Sequence, residues 1–123
     1  MRTAAAGACA LLFATSCHEG PAAPRAIAGA DPGRGRQVIE QVACGACHVI
    51  PGVSWPQGRV GPGLEGFADR ALIGGRFPNE PNVLVAWVRN APALAPETGM
   101  PPIPMTEQEA RDVAAYLYAL DAR

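Results

Sequence analysis

The sequence of 123 residues contains no lysine, few aromatic residues (6%) and no run of like charges. All ten basic residues are arginines, they are interspersed with eleven acidic residues, and the formal net charge is -1. This balance does not favour a nucleic-acid-binding protein, and no basic amphipathic stretch favours binding to a membrane surface. The length fits one small domain rather than two.

Bulky apolar side chains are also scarce, because much of the apolar fraction of 49% is alanine. The chain contains 14 glycines and 13 prolines, and a domain of this size and composition has little room for a large core. We therefore expect an embedded cofactor to supply part of the apolar mass.

The N-terminal part of the chain has the composition of an export signal followed by a tether. Residues 1–16 begin with one arginine and continue into an apolar stretch that is too short to span a bilayer. The small residues before Cys17 resemble the lipobox of bacterial lipoproteins, in which that cysteine is acylated after cleavage. Cleavage after residues 26–28 (AIA) is the alternative. Residues 17–30, rich in alanine and proline, predict a tether to a domain at 31–123.

Three helices are predicted in the domain, and no stretch has the alternating pattern of a β-strand. The first begins at Asp31, which can cap it, and extends to about Ala43. The second lies within EPNVLVAWVRNAP (80–92), where Ala91–Pro92 is expected to end it. The third begins at Thr106, which forms a T-x-x-E capping box with Glu109.

Long segments rich in glycine and proline separate these helices. Residues 49–66 and 91–105 are predicted to be loops, with a short helical piece near 67–73 between them. Loops of this length are uncommon in a compact domain unless they line a functional site. The predicted fold class is therefore all-α, with three main helices wrapped by loops.

The segment ACGACHVIPG (43–52) places Cys44, Cys47 and His48 within five positions. A zinc site would need three or four protein ligands, and the domain contains no second Cys/His pair. A redox dithiol would need a βαβ context, which the pattern lacks. C-x-x-C-H is the signature of covalent c-type haem, in which two thioethers join the vinyl groups and the histidine binds iron. We therefore predict one covalently attached haem c, with zinc and a dithiol as alternatives.

The methionines of the domain are the candidates for the second axial ligand of the iron. Met100 lies in the proline-stiffened segment ETGMPPIP and is the predicted ligand, with His48 opposite it. Met105, directly before the cap residue Thr106, is the alternative ligand, although an apolar side chain at this position can instead pack back onto the helix. His18 lies in the predicted tether and is a poor candidate.

Five pieces of the sequence occur in the order and spacing of the class I cytochromes c, which the region Asp31–Arg123 resembles. They are GRQVIEQVACGACH, GRVGPGLEGF, LVAWVRN, GMPPIP and TEQEARDVAAYLYAL. The chain looks most similar to the small mono-haem cytochrome c domains associated with bacterial respiratory chains and their terminal oxidases. The resemblance implies the cytochrome c fold around one haem.

The resemblance also implies roles for single residues. Gly35 would lie where the first helix crosses the last, near Tyr116. The carbonyl of Pro62 would accept a hydrogen bond from His48, and Trp87 would pack near the haem. Beyond these, the resemblance leaves open whether Arg76 or Arg59 pairs with a propionate and whether Trp55 lies at the haem edge or on the surface.

The function implied is that of a mono-haem electron carrier and not of an enzyme. Its expected partners are redox proteins, namely a terminal oxidase, a reductase or a dehydrogenase, which a monomer would contact weakly and transiently. A haem-based ligand sensor or a peroxidase-like enzyme with a labile sixth ligand is the alternative. The lysine rim of mitochondrial cytochrome c is missing. We expect the protein at the periplasmic face of a bacterial membrane, attached only through a lipid on Cys17.

Overall fold

The computed structural model describes residues 25–120, so the predictions for the leader, Cys17 and His18 lie outside the described residues. Within this range the predicted all-α class is confirmed, with three α-helices and little strand. The elements in chain order are α1 (Pro32–Gln41), a 3-10 turn (Cys44–Ala46), a second 3-10 turn (Phe67–Asp69), β1 (Leu72–Ile73), β2 (Phe77–Pro78), α2 (Pro81–Leu94) and α3 (Glu107–Ala119).

Helix α1 begins as predicted, because the Asp31 side chain accepts a hydrogen bond from the Arg34 N–H at 2.8 Å. It ends two residues earlier than predicted. Ala43 adopts a left-handed conformation (φ 57°), which no α-helix accommodates, so the chain turns there and a separate 3-10 turn begins at Cys44.

Helices α1 and α3 cross at Gly35, as the resemblance implies. A Cβ atom on Gly35 would lie 2.0 Å from the carbonyl oxygen of Asp112, so only glycine allows the two backbones to approach this closely. The contact lies one turn before Tyr116, which instead donates a hydrogen bond from its hydroxyl to the Pro51 carbonyl at 2.7 Å.

The N-terminus of α3 is the predicted capping box. The Thr106 hydroxyl accepts from the Glu109 N–H at 3.2 Å, and the Thr106 N–H donates to the Glu109 carboxylate at 2.6 Å. The helix contributes the largest share of the core. Its buried apolar residues pack with those of α1, α2 and the loops; the α3 members are Ala110, Val113, Ala114, Tyr116, Leu117 and Tyr118.

Helix α2 extends to Leu94 rather than ending at Ala91–Pro92. Its path is broken at Asn90, whose backbone is extended (φ -155°, ψ 71°). Pro92 therefore lies at the beginning of a new turn, where its missing N–H has no helical partner to lose.

The expectation that the domain contains no strand is wrong at one place. Leu72–Ile73 pairs antiparallel with Phe77–Pro78, so the predicted helical piece at 67–73 is reduced to Phe67–Asp69. Gly74 and Gly75 both have positive φ and form the connection. Two residues per strand are too few for an alternating pattern to be recognised.

Residues 25–30, which the sequence predicts to be part of the tether, contact the domain in the structure. Ile27 packs against the core, and the Arg25 guanidinium lies 5.5 Å from the centre of the Tyr118 ring. Gln108 of α3 donates to the Gly29 carbonyl at 3.0 Å. No helix within the described range is long and apolar enough to cross a membrane.

Candidate functional site

The C-x-x-C-H motif forms a tight turn at the end of α1. The N–H groups of Cys47 and His48 both donate to the Cys44 carbonyl, at 3.2 and 3.1 Å. The two thiols are not joined in a disulfide. Cys44 packs against the apolar core, and burial raises the pKa of its thiol to about 11, so it is protonated at neutral pH.

The imidazole of His48 is oriented by one hydrogen bond. Its Nδ1 lies 2.7 Å from the carbonyl oxygen of Pro62. Because a carbonyl oxygen only accepts, Nδ1 carries the proton in this pair, and the lone pair of the neutral ring is on Nε2. The structure thus brings together the two residues that the resemblance paired, and leaves Nε2 with a metal-binding lone pair.

The loop after the motif folds back along it through residues that have no side chain. Gly58 donates from its N–H to the Gly45 carbonyl at 2.7 Å, and Gly61 to the Cys47 carbonyl at 2.8 Å. A Cβ atom on Gly61 would lie 2.4 Å from Cε1 of His48. Sequence reasoning did not single out Gly61, although its position directly before Pro62 was a usable signal.

Met100 lies half-buried in the loop between α2 and α3. Its N–H donates to the Thr98 hydroxyl at 3.3 Å, and the Ile103 N–H ties the same loop to the Arg89 carbonyl of α2 at 2.9 Å. Met105 packs against the apolar core, which agrees with the packing that its position directly before the helix cap allows. Met105 therefore has a packing function, whereas Met100 is not part of the core cluster of the described residues.

The other residues named from the sequence are placed as follows. Trp87 is half-buried, with its ring centre 5.9 Å from that of Phe77. Arg76 forms an ion pair with Glu97, whereas Arg59 makes no ion pair with any residue in the range 25–120. Trp55 is 83% exposed in the structure.

The donor set fits a c-type haem. Two unpaired thiols and an imidazole whose Nδ1 is already bonded are the groups through which such a haem attaches to a chain. Residues 25–120 contain no cluster of three or more His, Cys, Asp or Glu side chains that could hold a metal ion. Cys44, Cys47 and His48 do not converge as zinc ligands would, so the zinc interpretation finds no support here.

The chain is similar to known proteins over most of the described residues. The family model for cytochrome c matches residues 33–121. Cytochrome c oxidase subunit 2 from Alkalihalophilus pseudofirmus is 34% identical over 88 residues, which are 71% of this chain and 25% of that relative. The chain therefore spans about a quarter of the length of the relative it matches.

Proposed function

We propose that this chain, which belongs to the cytochrome c family and contains covalently bound haem c, is a mono-haem carrier of single electrons. The observation that carries the proposal is the His48 Nδ1–H to Pro62 hydrogen bond of 2.7 Å, directly after two free thiols. Bound haem supplies a one-electron couple between ferrous and ferric iron. Such a transfer requires no bond between the iron and a substrate.

Each residue of the site has a distinct proposed role. Cys44 and Cys47 would hold the haem through thioether bonds, and His48 Nε2 and the Met100 thioether would bind its iron. Pro62 fixes the imidazole ring and raises its basicity through the hydrogen bond described above. The half-buried ring of Trp87 would pack near the haem.

The alternative, a ligand sensor or a peroxidase-like enzyme, requires an open or labile sixth position. The hydrogen bond that ties the Met100 loop to Arg89 of α2 favours a retained ligand. The absorption spectrum tests this directly. We expect the weak long-wavelength band of sulfur-ligated ferric haem and no binding of carbon monoxide. If the band is absent and the protein binds carbon monoxide readily, the sensor would be favoured.

Two methionine variants make the same test specific. Met100→Ala should abolish the sulfur band, lower the reduction potential and admit external ligands. Met105→Ala should leave all three unchanged, because Met105 packs against the core. The reverse result would show that Met105 is the ligand.

The partner we propose is a redox protein of a respiratory chain, such as a terminal oxidase, a reductase or a dehydrogenase. The similarity to a part of an oxidase subunit 2 supports this class. Trp55 and Val60 are 83% and 86% exposed, and their loop is hydrogen-bonded to the motif. With a net charge of -1, a small and weakly salt-dependent contact of a monomer is expected.

We further propose that the protein is exported to the periplasmic face of a bacterial membrane and retained there by a lipid on Cys17. The apolar leader and the small residues before Cys17 support this. A tether would raise the effective concentration of the domain near its partner. Incorporation of labelled fatty acid into the protein, and its loss in Cys17→Ser, would test the proposal. A labelled Cys17→Ser protein, or an unlabelled native one, would contradict it.

A further inference from the structure

Arg70 joins the buried core to the loop that contains Pro62. Its Nη2 donates to the carbonyl oxygens of both Gly63, at 2.6 Å, and Glu65, at 2.8 Å. Its guanidinium carbon lies 5.5 Å from the ring centre of buried Phe67. None of the ion pairs in the described part of the chain involves Arg70, so its donors serve the loop backbone.

The backbone of Arg70 is itself held by a buried polar network. The Asn79 side chain, only 4% exposed, donates from Nδ2 to the carbonyls of Arg70 and Phe67, each at 2.9 Å. The Asn79 Oδ1 accepts from the Tyr118 hydroxyl at 2.9 Å. Arg70 is therefore anchored, through Asn79 and Tyr118, to helix α3.

The peptide that bears the Pro62 carbonyl lies between two glycines. Gly61 is fixed by its N–H bond to the Cys47 carbonyl, at 2.8 Å. On the other side Gly63 is fixed at its carbonyl by Arg70. Because glycine backbones rotate more freely than others, the Pro62 carbonyl can turn away from His48 if either attachment is lost.

We infer that Arg70 is a positioning residue, which holds the Pro62 carbonyl against His48 Nδ1 and thereby sets how strongly the imidazole donates to iron. The inference rests on the proposed role of His48 as a haem ligand. A carbonyl bonded to Nδ1–H makes the ring more basic and favours ferric iron. Loosening this bond therefore raises the reduction potential.

The charge of Arg70 acts in the opposite direction. A nearby cation disfavours ferric iron, so removing it alone would lower the potential. The two effects can be separated by Arg70→Lys, which keeps the charge but is one bond shorter than arginine and lacks the planar guanidinium that lies against the Phe67 ring. The matched control is Arg59→Gln, because Arg59 is exposed, has no ion pair in the described range and belongs to the same loop.

Two readouts are measured on the haem-containing protein. The first is the exchange rate of the His48 Nδ1 proton with solvent, by NMR of the reduced form. The second is the midpoint potential. In Arg70→Lys we expect exchange to become roughly tenfold faster, as for a weakened hydrogen bond, and the potential to rise. In Arg59→Gln the exchange rate should be unchanged and the potential should not rise.

Three results would overturn the inference. Unchanged exchange and potential in Arg70→Lys would show that Arg70 has only a structural role. A lower potential in Arg70→Gln that is restored in Arg70→Lys would show that it acts by charge alone. A native protein without ligand-shifted His48 resonances would contradict the proposed ligand, and so the proposed site.

A second variant tests the same network further from the loop. Tyr118→Phe removes the hydroxyl that bonds Asn79 but keeps the ring that packs against Phe67, whose centre is 6.1 Å away. It should therefore fold even if the Arg70 variants do not. A smaller acceleration of His48 Nδ1 proton exchange supports the inference, and an unchanged rate would overturn it.

Discussion

Replacing Gly35 by alanine should destabilise the domain by separating α1 from α3. The new Cβ atom would lie 2.0 Å from the Asp112 carbonyl oxygen and 2.4 Å from its carbon, whereas ordinary contact begins at 3.4 Å. Both atoms belong to the backbone of a helix, so neither can rotate away. The helices must separate by roughly 1 Å or more, which loosens the core where buried Val38 and Val113 lie.

The size of the effect follows from two opposing contributions. Alanine is favoured over glycine in a helix interior by about 1 kcal/mol. Overpacking of a core costs about 1–3 kcal/mol, and a clash with rigid backbone lies at or above the upper end of this range. We expect a net loss of about 2 kcal/mol in the free energy of unfolding, and a fall in Tm of about 10 °C.

Urea unfolding followed by circular dichroism measures this change, and Gly33→Ala is the matched control. Gly33 lies in the same helix, but its Cβ would meet only the Asp31 carboxylate oxygen at 3.1 Å, a side-chain atom that can move. The control should be within about 1 kcal/mol of the native protein. A Gly35→Ala protein as stable as Gly33→Ala would refute the close crossing.

Three further predictions concern the orientation of His48, the stability of the fold at low pH and the surface that contacts the redox partner. Gly61→Ala should tilt the His48 ring, because its Cβ would lie 2.4 Å from Cε1; the ligand resonances in NMR should shift. Burial alone would raise the pKa of Asp112, but hydrogen bonds from Arg34, the Asp31 N–H and Gln108 outweigh it and lower the pKa. The ionised Asp112 carboxylate therefore stabilises the fold above its unfolded pKa of about 3.9, and this stabilisation is lost as the pH falls through the folded pKa. The urea midpoint of the native protein should fall in acid. The midpoint of Asp112→Asn should fall less steeply. Trp55→Ser should slow electron transfer to a purified terminal oxidase several-fold in stopped flow, with the spectrum unchanged.

Each of these has a result that would contradict it. Unshifted His48 resonances in Gly61→Ala would show that the ring has room beside it. An equal acid slope in the native protein and Asp112→Asn would mean that another carboxylate governs acid unfolding. For the surface prediction, the control is Leu72→Ser, since Leu72 is 46% exposed in the short hairpin. If both substitutions slow electron transfer equally, Trp55 is not a specific part of the docking surface.

The parts of the fold that local chemistry determines were predicted from the sequence. Asp31, Thr106 and Glu109 identify two helix N-termini, because capping depends only on residues within one turn. The pairing of Pro62 with His48 came from the resemblance to a family and not from periodicity. The structure shows that contact at 2.7 Å.

The features that were missed depend on tertiary contacts or on single backbone angles. The break at Asn90 and the left-handed Ala43 involve residues with no strong local preference for those conformations. The short hairpin at 72–78 has too few residues for a pattern. The carbonyl contacts of Arg70 link residues five and seven positions apart across a loop, which a sequence pattern does not reveal.

Covalent attachment of one haem through Cys44 and Cys47 is the central claim, and mass spectrometry of the mature protein tests it most directly. Since the chain contains no lysine, trypsin cleaves only after arginine and yields a peptide of residues 37–59 that contains both cysteines. We predict that this peptide carries the mass of one haem, and that Cys44→Ser and Cys47→Ser leave one thioether each. A folded protein whose 37–59 peptide has the unmodified mass would contradict the account.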